Sequence, residues 1–312
     1  MNRKFSRYIP HIVAAAVCLL ILLPTATCVV LGMRNSRLKE ENRALLAGGQ
    51  GTVIPTQGQT PPTAPDAPED APPQTGEAGE AELPYQQLYP TLYAQRPEQM
   101  RREEHVMYLT FDDGPSERTV QVLDTLQQYG IKATFFVTGK DDDFSRSVMK
   151  RIVDEGHTIA IHTYTHSYTD IYQSVDAYLQ DFERIYNLIE EVTGVKATMF
   201  RFPGGSVNSY NGQVYQELIA EMTRRGFVFY DWNISAGDAT HKATQQSITN
   251  SVVNGGVGKK RGIVLMHDSK PMADTANALP AIIQGLQAEG FYFDKLTNDV
   301  LPITFPYPNP FR

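Results

Sequence analysis

From residue 105 onward the sequence predicts an α/β fold, a distorted and incomplete (β/α) barrel of about seven strands. Three observations predict it. Short runs of strand-type residues alternate with helical patterns, and such alternation builds a parallel sheet. Glycine stands just past most of the helical patterns, the expected stop signal. No glycine-rich dinucleotide fingerprint follows the first strand, which argues against an open doubly wound sheet.

The chain has 312 residues. Residues 9–33 carry no charged side chain and are mostly apolar, enough to cross a hydrocarbon layer of roughly 30 Å at about 1.5 Å per residue. They are expected to be an uncleaved transmembrane anchor, leaving residues 1–8 as a cytoplasmic N-terminus. A cleaved signal peptide is the alternative, but no convincing small-x-small site is present. Arg3, Lys4 and Arg7 precede the span and Arg34, Arg37 and Lys39 follow it, so flanking charge hardly orients it. Leu31, Leu38 and Leu45 continue at heptad spacing, and 34–47 reads as a juxtamembrane helix. Residues 48–84 are rich in Pro, Gly, Thr, Gln and acidic residues and cannot bury enough surface to fold. They read as a disordered linker. Residues 85–104 form an approach segment without an assignment, and 105–305 form the body.

Within the body, strands are expected over 106–111, 133–138, 157–161, 198–202, 227–231, 262–267 and 291–293. Helices are expected over 117–129, 145–155, 174–193, 212–225, 244–253 and 275–289. Val120, Leu123 and Leu126 set the inward face of the first helix.

Composition narrows the chemistry. Net charge is −7, and from residue 105 there are 24 Asp and Glu against 18 Lys and Arg. Nucleic-acid binding is disfavoured, since it needs a basic face. The only cysteines, Cys18 and Cys28, lie in the apolar span, so a metal held by the body needs His and carboxylate ligands.

The unusual polar residues fall where strands end. Asp112 and Asp113 end the first strand, His162 and His166 follow the third, Arg201 lies near the end of the fourth, Asp231 ends the fifth, and His267 ends the sixth. In a barrel these ends form one face, and that face holds the active site. His162 and His166 are four apart, so on a helical turn they share a face and can chelate one ion. Two adjacent aspartates point in different directions; one can bind metal while the other faces water. Arg201 can keep a free carboxylate ionised. Gly204-Gly205 lets backbone amides approach a ligand closely, and such an amide can hold an oxyanion. Asp231 is the candidate to orient His267 and favour its protonated form. A metal, a carboxylate base and an imidazolium acid make a hydrolase.

These residues carry a resemblance. Thr110-Phe111-Asp112-Asp113-Gly114-Pro115, His162-Thr163-Tyr164-Thr165-His166, Arg201-Phe202-Pro203-Gly204-Gly205, Asp231-Trp232 and Leu265-Met266-His267 follow one another in order. Together they resemble the five motifs of the polysaccharide deacetylases of carbohydrate esterase family 4, the nodulation-type deacetylase domain. The resemblance covers roughly residues 105–300 and neither the anchor nor the linker. It implies that Asp112 is the general base, paired with Arg201, and that Asp113, His162 and His166 hold one divalent metal ion, zinc or alternatively cobalt, manganese or nickel. It implies that His267 is the general acid tuned by Asp231, that Gly204 serves the oxyanion, and that Trp232 and Leu265 line the acetyl pocket. The third motif departs from the family, which often has Pro where Phe202 stands and a bulkier residue where Gly204 stands.

The expected reaction is hydrolysis of N-acetyl groups on an extracellular glycan, N-acetylglucosamine of peptidoglycan foremost, by an enzyme anchored once in the cell membrane. N-acetylmuramic acid, chitin oligomers, an exopolysaccharide and acetyl-xylan are alternative substrates, and a catalytically idle glycan-binding protein is the alternative of another class. A glycosidase is excluded, because adjacent aspartates cannot flank a glycosidic bond at the roughly 5–9 Å that chemistry needs.

Overall fold

The computed structural model describes residues 82–307. The anchor, the juxtamembrane helix and nearly all of the linker lie outside the described residues. Among the described residues no helix is long and apolar enough to cross a membrane.

In chain order the strands are β1 Val106–Asp112, β2 Thr134–Val137, β3 Thr158–Ile161, β4 Met199–Phe200, β5 Val228–Phe229, β6 Ile234–Ser235, β7 Arg261–His267 and β8 Tyr292–Asp294. The helices are α1 Glu117–Tyr129, α2 Asp143–Asp154, α3 Tyr168–Ile171, α4 Val175–Thr193, α5 Tyr215–Arg224, α6 Gln245–Gly256 and α7 Ala273–Ala288. Three elements were not expected. A 3-10 turn, Pro84–Gln87, stands at the start of the approach segment. The short helix α3 follows the histidine loop, and β6 adds an eighth strand.

All strand pairings are parallel, in the order β5-β4-β3-β2-β1-β7-β6. Among the described residues β5 and β6 do not pair, so the barrel stays open. The central strand is β1, buried at every position. It pairs with β7 along its whole length, from Val106↔Arg261 to Asp112↔His267. On its other edge its first half pairs with β8 and its second half with β2.

Alternation along β1 sorts its side chains. Met107, Leu109 and Phe111 join the large apolar core under the helices. Val106 and Tyr108 join a smaller interior cluster with Phe136, Met199, Tyr230 and Ile263. By the same period Thr110 and Asp112 share the interior face, with Asp112 at its carboxyl end. The helices start and stop as local chemistry dictates. The Ser116 hydroxyl caps α1 by accepting from Arg118 N at 2.9 Å, and Gly130 closes it at φ 65°. Ser174 caps α4, and Gly194 closes it.

The approach segment has a defined place. Fully buried Arg225 donates to the carbonyls of Tyr85 (3.2 Å), Leu88 (2.8 Å), Tyr89 (3.0 Å) and Leu92 (3.3 Å). Its Nε donates to Glu221 at 2.7 Å. One guanidinium thus reaches four carbonyls of this segment: Tyr85 O and Tyr89 O also accept from Leu88 N and Leu92 N, whereas Leu88 O and Leu92 O have no backbone donor among the described residues. Gly226 has φ 88°, and a Cβ there would collide with the Ala94 carbonyl, so the next residue must be glycine for the segment to pass. Farther along, Arg101 pairs with Asp299 and bridges to Val300, which ties the segment to the C-terminal end.

Arg225→Met should therefore free residues 83–94. Removing one partner of a buried pair costs about 3–5 kcal/mol. Hydrogen exchange should rise across 83–94 and melting should occur at lower temperature; unchanged protection in that segment would refute the clasp.

Candidate active site

Asp112 and Arg201 form the base of the site. Arg201 follows β4 and is fully buried. Its Nη1 donates to Asp112 Oδ1 at 2.8 Å and to Thr110 Oγ1 at 2.7 Å. Its Nε donates to Tyr230 O at 2.9 Å and its Nη2 to Asp231 O at 3.2 Å. The guanidinium carbon lies 4.2 Å from the centre of the Phe136 ring and 5.7 Å from that of Trp232. Burial raises the Asp112 carboxyl above its usual range, while Arg201 and His267 pull against that rise. The result is a carboxylate more basic than a surface aspartate yet held in one orientation.

Beside it, Asp113, His162 and His166 offer ligand atoms that all lie within 4.8 Å of one another. Asp113 Oδ1 is 3.6 Å from His162 Nε2 and 3.3 Å from His166 Nε2. That oxygen is buried without a hydrogen-bond partner, as a waiting ligand atom would be. His162 Nδ1 sits 2.8 Å from Arg201 O, an acceptor that makes Nδ1 the protonated nitrogen and leaves the Nε2 lone pair facing Asp113. Burial, against the opposing pull of Asp113, lowers the His162 pKa to about 3, so the ring stays neutral and able to ligate. Two imidazoles and a carboxylate fit a divalent transition metal with open positions.

The two histidines do not lie on a helical turn, contrary to the spacing argument. They occupy a loop in which Thr163 (φ 74°) and His166 (φ 54°) are left-handed, and Asp113 opposite them is left-handed too (φ 75°). Three non-glycine residues in that region cost energy, and something must hold them. Asp181, on α4, does so for the loop. Its carboxylate accepts from the backbone N–H of Tyr164, from Thr165 N at 3.0 Å and from Thr165 Oγ1 at 2.6 Å. Across the site, Lys140 Nζ donates to Asp113 O at 2.8 Å and to Pro115 O at 2.9 Å. Asp113, Lys140, Tyr164 and His166 line an opening of about 520 Å³. Neither Asp181 nor Lys140 was singled out from the sequence; each is an ordinary charge until the fold brings it back.

His267 ends β7 directly across from Asp112. Its orienting carboxylate is Asp238, not Asp231. Asp238 Oδ1 lies 2.9 Å from His267 Nδ1, and Asp238 Oδ2 accepts from His267 N at 2.7 Å and Thr275 Oγ1 at 2.9 Å. Asp231 instead accepts from Ser206 N (2.8 Å), Ser206 Oγ (2.5 Å) and Phe305 N (2.7 Å). The reason is β6. It pairs with β7 at Ser235↔Leu265, so the first carboxylate beyond it, Asp238, emerges beside His267. Asp231 lies before β6 and turns toward the Gly204-Gly205 loop. Burial depresses His267, but the Asp238 bond and the fields of Asp238, Asp112 and Asp113 outweigh it, pushing its pKa from 6.5 up to about 9.

Gly204 and Gly205 are both left-handed, at φ 76° and 87°. Gly204 is exposed, and among the described residues its N–H has no partner. Leu265 shares the interior face of β7 with His267 by strand period. Trp232 packs edge-on against Phe305, with ring centres 4.7 Å apart.

The sequence profile of the family described as Polysaccharide deacetylase matches residues 99–223. The chain is 31% identical over 219 residues to a peptidoglycan-N-acetylglucosamine deacetylase of Bacillus cereus, covering 67% of this chain and 76% of that protein. Among solved structures, the catalytic domain of peptidoglycan N-acetylglucosamine deacetylase from Eubacterium rectale superposes with a TM-score of 0.63 at 36% identity, covering 70% of this chain and 100% of that one. The polysaccharide deacetylase Bc1974 from Bacillus cereus gives 0.59 at 30% identity, covering 65% and 97%.

The two aspartates should separate in an NMR titration of the His267 ring in metal-free protein. The midpoint should lie near 9 in the parent, fall toward 6.5 in Asp238→Asn, and move less than about half a unit in Asp231→Asn. A raised folded-state pKa gives stability that is full below 6.5 and lost as pH rises through 9, on the order of 3 kcal/mol here. Asp238→Asn should flatten that loss; a larger effect from Asp231→Asn would reverse the assignment.

Proposed function

This chain belongs to the polysaccharide deacetylase family and is an enzyme of that class, and from that premise we propose that it removes N-acetyl groups from N-acetylglucosamine residues of peptidoglycan. The observation that carries the reading is convergence. A buried Asp–Arg pair, a His-His-Asp cluster and an Asp-paired His meet at the carboxyl ends of adjacent strands, with Asp112 and His267 in register across β1 and β7.

Asp113, His162 and His166 would hold the divalent ion, zinc in the first instance. When bound, such an ion polarises an acyl oxygen and acidifies water. Asp112 takes the proton from the attacking water. Its raised pKa makes it an effective acceptor, and Arg201 fixes the oxygen that does not accept. The exposed Gly204 N–H is a donor for the developing oxyanion. His267, kept protonated by Asp238, delivers a proton to the leaving amine. Asp231 holds the Gly204-Gly205-Ser206 turn in place from behind. Its role is to position that turn, and among the described residues it makes no hydrogen bond to His267.

The glycan assignment draws on relatives named as peptidoglycan N-acetylglucosamine deacetylases. An anchor over 9–33 and a tether over 48–84 would put the body on the cell-wall side of the membrane. N-acetylmuramic acid, chitin oligomers, exopolysaccharide and acetyl-xylan are the substrates to set against it.

Acetate release with zinc should be strongest on peptidoglycan, measured beside chitin oligomers. Release from chitin alone would keep the reaction and remove the cell-wall target. Asp112→Asn should lose roughly 10²–10⁴-fold in kcat, the span of a general base, with metal content unchanged. His162→Ala should lose the metal itself, read by elemental analysis after dialysis; full occupancy would refute the ligand role.

A further inference from the structure

A side chain at 204 would collide with a neighbour, and that neighbour is Tyr168. A Cβ on Gly204 would lie 2.9 Å from Tyr168 Cε1 and 3.2 Å from its hydroxyl oxygen. Tyr168 reaches there from α3, two residues past His166. Its ring packs edge-on against the His166 ring, with centres 5.3 Å apart and planes at 86°. On its other side lies Tyr210, at 4.8 Å between ring centres. Tyr210 is 58% exposed, more than any other aromatic side chain among the described residues.

That exposed ring is not on a loose loop. Asn208 Oδ1 accepts from Tyr210 N at 2.8 Å and Asn211 N at 3.1 Å. Asn208 Nδ2 donates to Pro203 O and Gly205 O, both at 3.1 Å. Tyr172 donates its hydroxyl proton to Pro203 O at 2.7 Å from below. One asparagine therefore fastens the Tyr210 turn to the loop that carries the oxyanion donor. The Tyr168 hydroxyl, in contrast, has no hydrogen-bond partner among the described residues, although it lies against Gly204.

A fixed pair of phenol rings at the mouth of a polar site suits one chemical class of ligand. The carbon faces of a pyranose are apolar and its rim is hydroxylated. A tyrosine offers an apolar body and a polar tip at little cost in side-chain freedom. We infer that Tyr168 and Tyr210 form a sugar platform that seats a pyranose ring of the glycan chain beside the metal ligands, with the Tyr168 hydroxyl free to bond that ring. Tyr168 thus fills, from a different part of the chain, the place that a side chain at 204 would take. The inference rests on the proposed function for its ligand class.

The test is equilibrium binding with the full zinc-loaded chain carrying Asp112→Asn, so that turnover does not consume the ligand. The probe is the tetramer of β-1,4-linked N-acetylglucosamine, titrated by calorimetry. Adding Tyr210→Ala should weaken binding about tenfold, the scale of lost aromatic stacking. Adding Tyr168→Phe, which keeps the ring and removes the hydroxyl, should weaken it about threefold, as one hydrogen bond would. Metal content and melting temperature serve as controls for folding. An unchanged Kd in the Tyr210→Ala protein, or no binding by the parent, overturns the platform. Acetate release by the enzyme with Asp112 intact decides the reaction separately. Release without tetramer binding sinks the platform alone, and Tyr210-dependent binding without release from any glycan sinks the reaction alone.

Discussion

A guanidinium buried as completely as Arg201 cannot remain unpartnered, and most of the site follows from how its charge is met. Its partners come from two places: Asp112 and Thr110 on β1, and the carbonyls of Tyr230 and Asp231 beyond β5. To bring them together the sheet must curl so that β1 and the β5 end face one another across the barrel. The interior cluster of Tyr108, Phe136 and Tyr230 supports that curl from beneath, and Phe136 closes one face of the guanidinium. Arg201 also presents its own carbonyl to His162 Nδ1. One residue thus orients both the proposed base and a candidate metal ligand, linking two groups that the sequence shows in separate motifs.

The long elements were legible because their signals are local. The run 106–111 and the glycines at 130 and 194 each act within a few residues. The two-residue strand β6 was not legible. Ile234-Ser235 has too few positions for a period to appear, and only pairing with β7 makes it a strand. The error over Asp231 is a consequence of that gap. Asp231 ends the last strand expected before His267, whereas the unseen strand carries the chain on to Asp238. The histidine pair shows the converse. Its spacing of four suggested one metal and the structure clusters both rings, but through a left-handed loop rather than a helix. Spacing records that two residues can meet and not the path by which they do.

Several supporting groups were beyond reach for a different reason. Asp181 acts on residues 16 and 17 positions earlier in the chain, and Arg225 on carbonyls more than 130 earlier. Neither leaves a mark near its target. Gly204 is intermediate. As a departure from a family motif it was visible, but its reason was not, because Tyr168 lies on α3, in a stretch between 161 and 174 to which the sequence assigned no element.

The Arg225 clasp also has a mechanical meaning. Tension entering at residue 83 would first reach four carbonyls gripped by one guanidinium, which is braced by Glu221 one helical turn back on α5. Those bonds share the pull, as rungs loaded in shear do, and pass it to the back of a helix. The strand that carries Asp112 begins only after Arg101 has made a second fastening to Asp299. Pull applied at residue 83 would therefore be carried into α5 before it reached the strand that holds Asp112.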